Sequence, residues 1–361
     1  MSAAASFARD YAEARGKFAE AARAAGARLA SYAHERVKGP GGETIATDIA
    51  WLGPKEATRV LVTVSATHGV EGFCGAGVQT GSFRAGIAGE LPPDTALLAI
   101  HAVNPYGFAW LRRVTEENVD LNRNFLDHAQ PLPSNDGYVE LAEALAPTEW
   151  SMEAQRRTRA ALEEYGRRHG AALLQRAITG GQYTHPDGLF YGGAGPTEAR
   201  RTLERIAREQ LSRARRLAVI DYHTGLGPYG HGEKIVIHPP ASAGLARARA
   251  WYGDAITSTS LGTSTSSDVV GDLLTGLERA LPGAEVTGMA LEYGVRPLDE
   301  SIDAVRADNW LHHHGSLDSP QGRAIKVQIR AAFYGDADDW KEMVFAQAMD
   351  AQRRALSGLR G

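Results

Sequence analysis

Hydrophobic and polar positions follow two different periods along this chain. Phe7, Tyr11, Phe18 and Ala22 recur at helical spacing among Ala, Arg and Glu, which predicts an amphipathic helix reaching to about Ala27. RLASYAHERV and ETIATDIAWLG then alternate on either side of KGPGG, the pattern of a β-hairpin with a Gly-Pro-Gly-Gly turn. TRVLVTVSAT, residues 58–67, is an almost continuous β-branched run and predicts a strand covered on both faces. A helix of small residues is expected over 72–87, followed by a second buried strand over 95–105 that Asn-Pro closes.

A polar stretch from Leu126 to Glu198 comes next, with a helical charge pattern in TEWSMEAQRRTRAALEEYGRRHG and a Gly-rich loop, ITGGQYTHPDGLFYGGAGPTEA. ARRTLERIAREQLSRARR predicts another helix, leading into LAVIDYHTGLG, a third buried strand expected to stop at its histidine. EKIVIHPP and EVTGMALEYGV read as two further strands, and ADDWKEMVFAQAMDAQRRALSGL as a C-terminal helix. There is no internal repeat and no linker. Strands alternating with helices imply a single α/β domain over 1–361, with helices on both faces of a mixed, mostly parallel sheet and an inserted helical and loop segment at about 126–198.

Three of the strands end alike, with an apolar run, then His or Glu, then Gly: VTVSATHGVE, LAVIDYHTG and GMALEYG. Open sheets of this kind bind ligands beyond the carboxyl ends of their strands, so these endings would converge on one edge. His68 and Glu71, three apart at a strand-to-helix turn, can share a cation, and His223 would supply a third ligand. Two His and one Glu with an open fourth position is the composition of a catalytic zinc site, one Zn²⁺ per chain. Glu292, ending an apolar strand, is suited to act as the general base beside a zinc-activated water.

A second cluster, WLRRVTEENVDLNRNF over 110–125, joins Arg112, Arg113, Asn122 and Arg123 to acidic residues just after a strand end. Arginine clamps carboxylates bidentately and stabilises oxyanions as a fixed cation. Composition narrows the rest. Net charge is -4 and no basic stripe occurs, which argues against nucleic acid as a partner. No apolar run approaches the roughly 18 residues of a membrane span, and the opening MSAAASFARDYAEARGKF lacks the pattern of a leader peptide. Cys74 stands alone, so neither a disulfide framework nor a cysteine zinc knuckle is available. A cytoplasmic globular protein is expected, with its oligomeric state unread.

THGVEG, VDLNRNF, DYHTG and LEYG, in that order, resemble the zinc metallocarboxypeptidase superfamily, both the carboxypeptidase A type and the aspartoacylase and succinylglutamate desuccinylase branch. The resemblance is strongest to a bacterial subgroup described as a domain of unknown function. It implies an α/β/α sandwich around a mixed sheet of about eight strands. It also implies zinc on His68, Glu71 and His223, the substrate carboxylate on Asn122 and Arg123, and Glu292 as base and then proton donor. Arg113 would polarise the scissile carbonyl, with Arg112 competing for that role. The chain departs from the digestive carboxypeptidases in STSSDVVGDLLTGLERALPG, where their capping Tyr has no counterpart. The segment at 126–198 would narrow the pocket as a lid.

Cys74 is expected only to pack beneath the His68 turn, and His101 and Asn104 to lie near the metal ligands. His312 to His314 read as a helix end, since consecutive helical residues point in different directions. No G-x-S-x-G elbow occurs. The sequence therefore points to a metallohydrolase acting on an amide beside a free carboxylate, in a small-molecule or short-peptide substrate. A carboxypeptidase, an N-acyl amino acid deacylase and a non-catalytic carboxylate-binding protein all remain open.

Overall fold

The β-branched and aliphatic runs form eight strands: β1 (Arg28–Ala33), β2 (Ala46–Leu52), β3 (Arg59–Val64), β4 (Thr95–His101), β5 (Arg216–Tyr229), β6 (Gly232–Val236), β7 (Ile256–Ser258) and β8 (Glu285–Gly294). In this computed structural model, which describes residues 2–361, they make one mixed sheet in the order β1-β2-β4-β3-β5-β8-β6-β7. The central strands β4, β3, β5 and β8 run parallel, while β2 and β6 flank them antiparallel.

Side-chain alternation along the strands divides the apolar residues between two cores. Leu61, Ile220, Tyr222, Leu291 and Tyr293 pack with helices Tyr11–Ala24, Gly72–Arg84, Ala243–Tyr252 and Asp338–Arg360. Val60, Val62, Val64, Leu217 and Val219 face the other way, against helices Glu198–Gln210 and Leu273–Ala280. The small residues of helix Gly72–Arg84 let it lie directly on the sheet: a Cβ on Gly75 would come within 2.6 Å of Ser65 Cβ. Even an alanine there would push the helix off β3.

Several boundaries differ from the sequence reading. The first helix begins at Tyr11, not near Phe7, because Asp10 caps it by accepting from the Glu13 N–H at 2.8 Å. The β1–β2 ladder ends at the His34 N–H to Ile45 carbonyl bond, so the Gly-Pro-Gly-Gly segment lies within a longer loop. β5 does not stop at His223. It runs on to Tyr229 through a register shift against β8 after Thr224.

β7, three residues long, carries too little pattern to be read. Helix Pro320–Phe333 and most of helix Leu298–His314 also escaped the sequence reading. In the latter, Arg306, Asp308 and Asn309 are buried among the apolar positions and blur the helical period. His312 to His314 form its last turn. The 126–198 segment contributes helices Asp136–Leu145, Met152–His169 and Ala171–Thr179. Among the described residues, no helix is long and apolar enough to cross a membrane.

Candidate metal centre

The site is built where β3 and β4 end. Val103 and Asn104 donate backbone N–H bonds to the carbonyls of Ser65 and Ala66, both 3.0 Å, which locks the two strand exits together. The next turn, Gly69–Glu71, lies beneath the segment carrying the arginines: Gly69 N–H reaches the Arg113 carbonyl at 3.1 Å, and Val70 N–H the Arg112 carbonyl at 2.8 Å. Gly69 is required here, since a Cβ would fall 2.0 Å from the Gly107 carbonyl carbon. Ala66, Ala102, Leu111, Asn118 and Phe190 all hold positive φ around this site. Such strain costs on the order of 1 kcal/mol at each residue and gathers where function dictates the backbone.

His68, Glu71 and His223 come together in a buried triangle. His68 Nδ1 lies 2.9 Å from Glu71 Oε1, and His223 Nδ1 lies 3.2 Å from both Glu71 Oε2 and His68 Nδ1. A tetrahedral ion with bonds near 2.0 Å has ligand-to-ligand edges of about 3.3 Å, so this donor set fits a divalent metal. The outer nitrogens are held by carboxylates, an arrangement that fixes tautomer and ring orientation at metal sites. His223 Nε2 meets Asp221 Oδ2 at 2.8 Å, and Asp221 Oδ1 accepts from the Thr67 hydroxyl at 2.8 Å. His68 Nε2 lies 3.1 Å from Asp120 Oδ1 and 2.8 Å from Arg113 Nη2, while Asp120 Oδ2 accepts from Arg113 Nε at 3.0 Å. Burial pushes the His223 pKa down, but Asp221 and Glu71 outweigh it and raise it well above the usual imidazole range. Burial acts upward on Asp120, but Arg113 and His68 hold it well below the carboxylate range.

Asp120 and Asp221 were missed in the sequence, although a signal existed for one of them. Asp221 stands two positions before His223, and that spacing in a strand puts both side chains on one face.

Glu292 on β8 pairs in register with His223 on β5. It accepts from the Leu226 N–H at 3.1 Å and is otherwise enclosed. Burial, reinforced by the charge of Glu71, pushes its carboxyl up to about 8, against the opposing pull of His223 and Arg113. Arg113 reaches Glu71 Oε1 at 3.0 Å, and its guanidinium lies 5.1 Å over the Phe190 ring. Asn122 turns its amide oxygen to the Leu273 N–H at 2.9 Å, which leaves its NH₂ as a donor for the cavity. Arg123 donates to the Asn122 carbonyl at 2.9 Å and the Thr179 carbonyl at 2.6 Å, while its buried Nε has no partner.

His68, Glu71, His223, Arg113, Asn122, Arg123 and Glu292 all line one cavity of roughly 970 Å³ including its mouth. Gln175, Thr179 and Phe190, from the 126–198 segment, form part of its wall.

Two sequence candidates, Arg112 and His101, lie away from the cavity, and Asn104 stands beside it without lining it. Arg112 does not line the cavity. It is buried in the opposite direction, donating to Asp308 at 3.0 Å and Asn118 at 3.1 Å, because the Val70 bond to its carbonyl fixes the peptide with consecutive side chains pointing apart. His101 is stacked on Phe18 at 4.7 Å in the first core, with both ring nitrogens unpartnered. Asn104 shapes the turn instead, capping helix Pro105–Ala109 and donating to the Arg113 carbonyl at 3.4 Å. Cys74 is buried in the first core, and burial raises its thiol pKa.

A second histidine–carboxylate group, His34 with Glu116 and Glu198, has a different geometry. The two carboxylates meet opposite ring nitrogens at 2.9 and 3.5 Å, as in a doubly ion-paired imidazolium.

Fold and site thus define a mixed-sheet α/β protein with a His–Glu–His centre suited to a divalent metal at the carboxyl edge of its parallel strands. Residues 7–347 match the family described as protein of unknown function DUF2817, and the chain belongs to that family. No curated protein matches it. Among solved structures it is similar to carboxypeptidase A from Helicoverpa armigera, at 12% identity over 90% of this chain and 74% of that one, TM-score 0.45. An aspartoacylase family protein from Mesorhizobium loti is similar at 11% identity over 81% and 68%, TM-score 0.39. The succinylglutamate desuccinylase from Chromobacterium violaceum is similar at 16% over 88% and 73%, TM-score 0.36.

Proposed function

We propose that this chain is a zinc-dependent hydrolase that cleaves an amide bond beside a free carboxylate. The observation that carries the reading is the triangle of His68, Glu71 and His223, with edges of 2.9 to 3.2 Å, sharing one cavity with an unpaired buried carboxylate. His68, Glu71 and His223 would hold the zinc, which when bound would supply a water acidic enough to ionise near neutral pH and a Lewis acid for the substrate carbonyl.

Glu292 takes the proton of the attacking water and returns it to the departing nitrogen; it shares the cavity with the triangle, and its one bond, from the Leu226 N–H, leaves an oxygen free for that exchange. Arg113, fixed by Asp120, stabilises charge as it develops on the carbonyl oxygen. The free NH₂ of Asn122 and the Arg123 guanidinium receive the substrate carboxylate.

Within this reading, cleavage of an N-acyl amino acid competes with trimming of a short peptide. Gln175 and Thr179 favour a small substrate in either case, since they bond to the facing loop at 2.8 Å (Thr265 carbonyl) and 2.9 Å (Ser267 hydroxyl) and narrow the entrance. A non-catalytic carboxylate binder has no use for Glu292, a buried carboxyl whose desolvation only costs stability.

The test is Glu292→Gln together with the wild type, screened with zinc on N-acyl amino acids and dipeptides. The variant is expected to bind zinc stoichiometrically and to lose turnover by at least about a hundredfold. A variant that turns over as fast as wild type refutes the mechanism.

A further inference from the structure

The walls of the cavity carry information about the substrate beyond its carboxylate and its amide. If the carboxylate rests at Asn122 and Arg123 and the scissile carbonyl at Arg113, the carbon between them has one direction left for its substituent. That direction is bounded by elements tied to the same anchors. The Leu273 N–H fixes Asn122, and the next residue, Leu274, faces the cavity. Ala290 stands two positions before Glu292 on β8 and shares its face. Ile235 on β6 is in register with Ala290, and Ile237 follows two residues later.

This wall is aliphatic. Its one carboxylate, Asp272, already serves as the cap of helix Leu273–Ala280, accepting from the Thr275 N–H at 2.9 Å. Burial raises its pKa, which makes it a poor counter-ion for a cationic substituent.

A second wall belongs to a different apolar cluster. Leu298, Ser301, Ile302 and Val305 follow helical i, i+3, i+4, i+7 spacing and present one stripe of helix Leu298–His314 to the cavity. Phe333 extends this wall, with its ring against Gly225.

The loop at 259–271 closes over the first wall. Glu233 holds it at the Thr265 N–H, 3.1 Å away, and anchors the preceding strand β7 at the Thr257 hydroxyl, 2.5 Å away. Gln175 and Thr179 hold it from the other side. Little room remains for several residues of peptide on the first side.

We propose that the substrate carries an apolar group on both sides of its scissile amide: a branched aliphatic substituent beside the carboxylate, against Ile235, Leu274 and Ala290, and an apolar acyl group against Leu298, Ile302 and Val305. This rests on the hydrolase reading above. Such chemistry occurs in N-acylated aliphatic amino acids and in dipeptides of apolar residues, and the two are separate arms of the test.

The experiment measures kcat/KM of the zinc-loaded chain on N-acetyl and N-hexanoyl derivatives of Leu, Asp and Lys, and on Leu-Leu, Asp-Leu and Leu-Lys. Leu beside the carboxylate is expected to exceed Asp or Lys by at least about tenfold, and hexanoyl to exceed acetyl. Ala290→Phe, which fills the first wall, should erase the preference for Leu and keep that for hexanoyl. Ile302→Ser should do the reverse.

Calorimetric binding of the same compounds to Glu292→Gln gives a readout independent of turnover. Hydrolysis with a preference for Asp or Lys overturns the proposal and leaves the hydrolase reading intact. Binding of apolar compounds with no hydrolysis by the wild type overturns the hydrolase reading and leaves the walls as assigned. Absence of both binding and hydrolysis for every compound overturns both. Turnover confined to one arm identifies the acyl source.

Discussion

The two carboxylates behind the histidines make the most discriminating target, because they hold different things. Asp221 touches His223 Nε2 at 2.8 Å and the Thr67 hydroxyl at 2.8 Å, and it has no bond to Arg113. Asp120 holds His68 Nε2 at 3.1 Å and Arg113 Nε at 3.0 Å. Replacing either by Asn keeps the shape and removes the charge that makes the attached imidazole a strong ligand. Partners of this kind are worth about 10- to 100-fold in metal affinity, or roughly 1.4 to 2.7 kcal/mol. Asp221→Asn should therefore weaken zinc by that factor, with kcat recovering at saturating metal.

Asp120→Asn should weaken zinc similarly, but kcat should stay depressed at saturating metal. Its Arg113 keeps the contacts to Glu71 and His68 but loses the charged partner at Nε, and a misplaced oxyanion donor costs about a hundredfold. Competition with a chromophoric chelator gives the affinities, and a zinc titration of turnover gives the plateau. Equal plateaus for the two variants, or zinc affinity unchanged in Asp221→Asn, would refute the division of labour.

Other predictions concern residues away from the metal. Arg112→Met should lower stability by about 3 kcal/mol, since it leaves buried Asp308 with only Lys326 as a charged partner, while kcat stays unchanged; Arg113→Met should lower kcat at least about a hundredfold. Denaturant melts beside kinetics separate the two, and a kcat loss in Arg112→Met would return that residue to the site. His101 is buried and neutral, and desolvation holds its pKa near 4 against 6.5 for a free imidazole. Between those values the unfolded chain binds a proton that the folded one refuses. Stability from this residue is therefore complete above pH 6.5 and falls by about 3 kcal/mol as pH drops toward 4. His101→Leu should flatten that acid loss in melts from pH 7 to 4.5 without changing zinc affinity; an unaltered slope, or lost zinc, would contradict the placement in the first core.

Much of the site was legible because chemistry and position coincide at strand ends. His68, Glu71, His223 and Glu292 each follow an apolar run whose buried strand can be recognised by itself, and parallel neighbours carry their ends to the same edge. Asn122, Arg123 and the paired arginines were visible as a motif. Their orientations were not. Arg112 and Arg113 are adjacent and chemically identical, and only the backbone bonds from Gly69 and Val70 decide which one turns toward Glu71. His101 closes an apolar run in the sequence just as His223 does, yet it packs on Phe18, because the face a side chain takes depends on sheet register and not on residue type.

By itself, then, the sequence determined the alternation of strands and helices and marked His68, Glu71, His223 and Glu292 as candidates after apolar runs, since these readings rest on short-range periodicity and on side-chain chemistry. The tertiary structure alone decided what surrounds them: Asp120 behind His68, the stripe of helix Leu298–His314 facing the cavity, and the closure of the 259–271 loop by Gln175, Thr179 and Glu233. Those contacts join residues tens to hundreds of positions apart, and local pattern holds no record of a pairing that exists only once the sheet has brought its edge together.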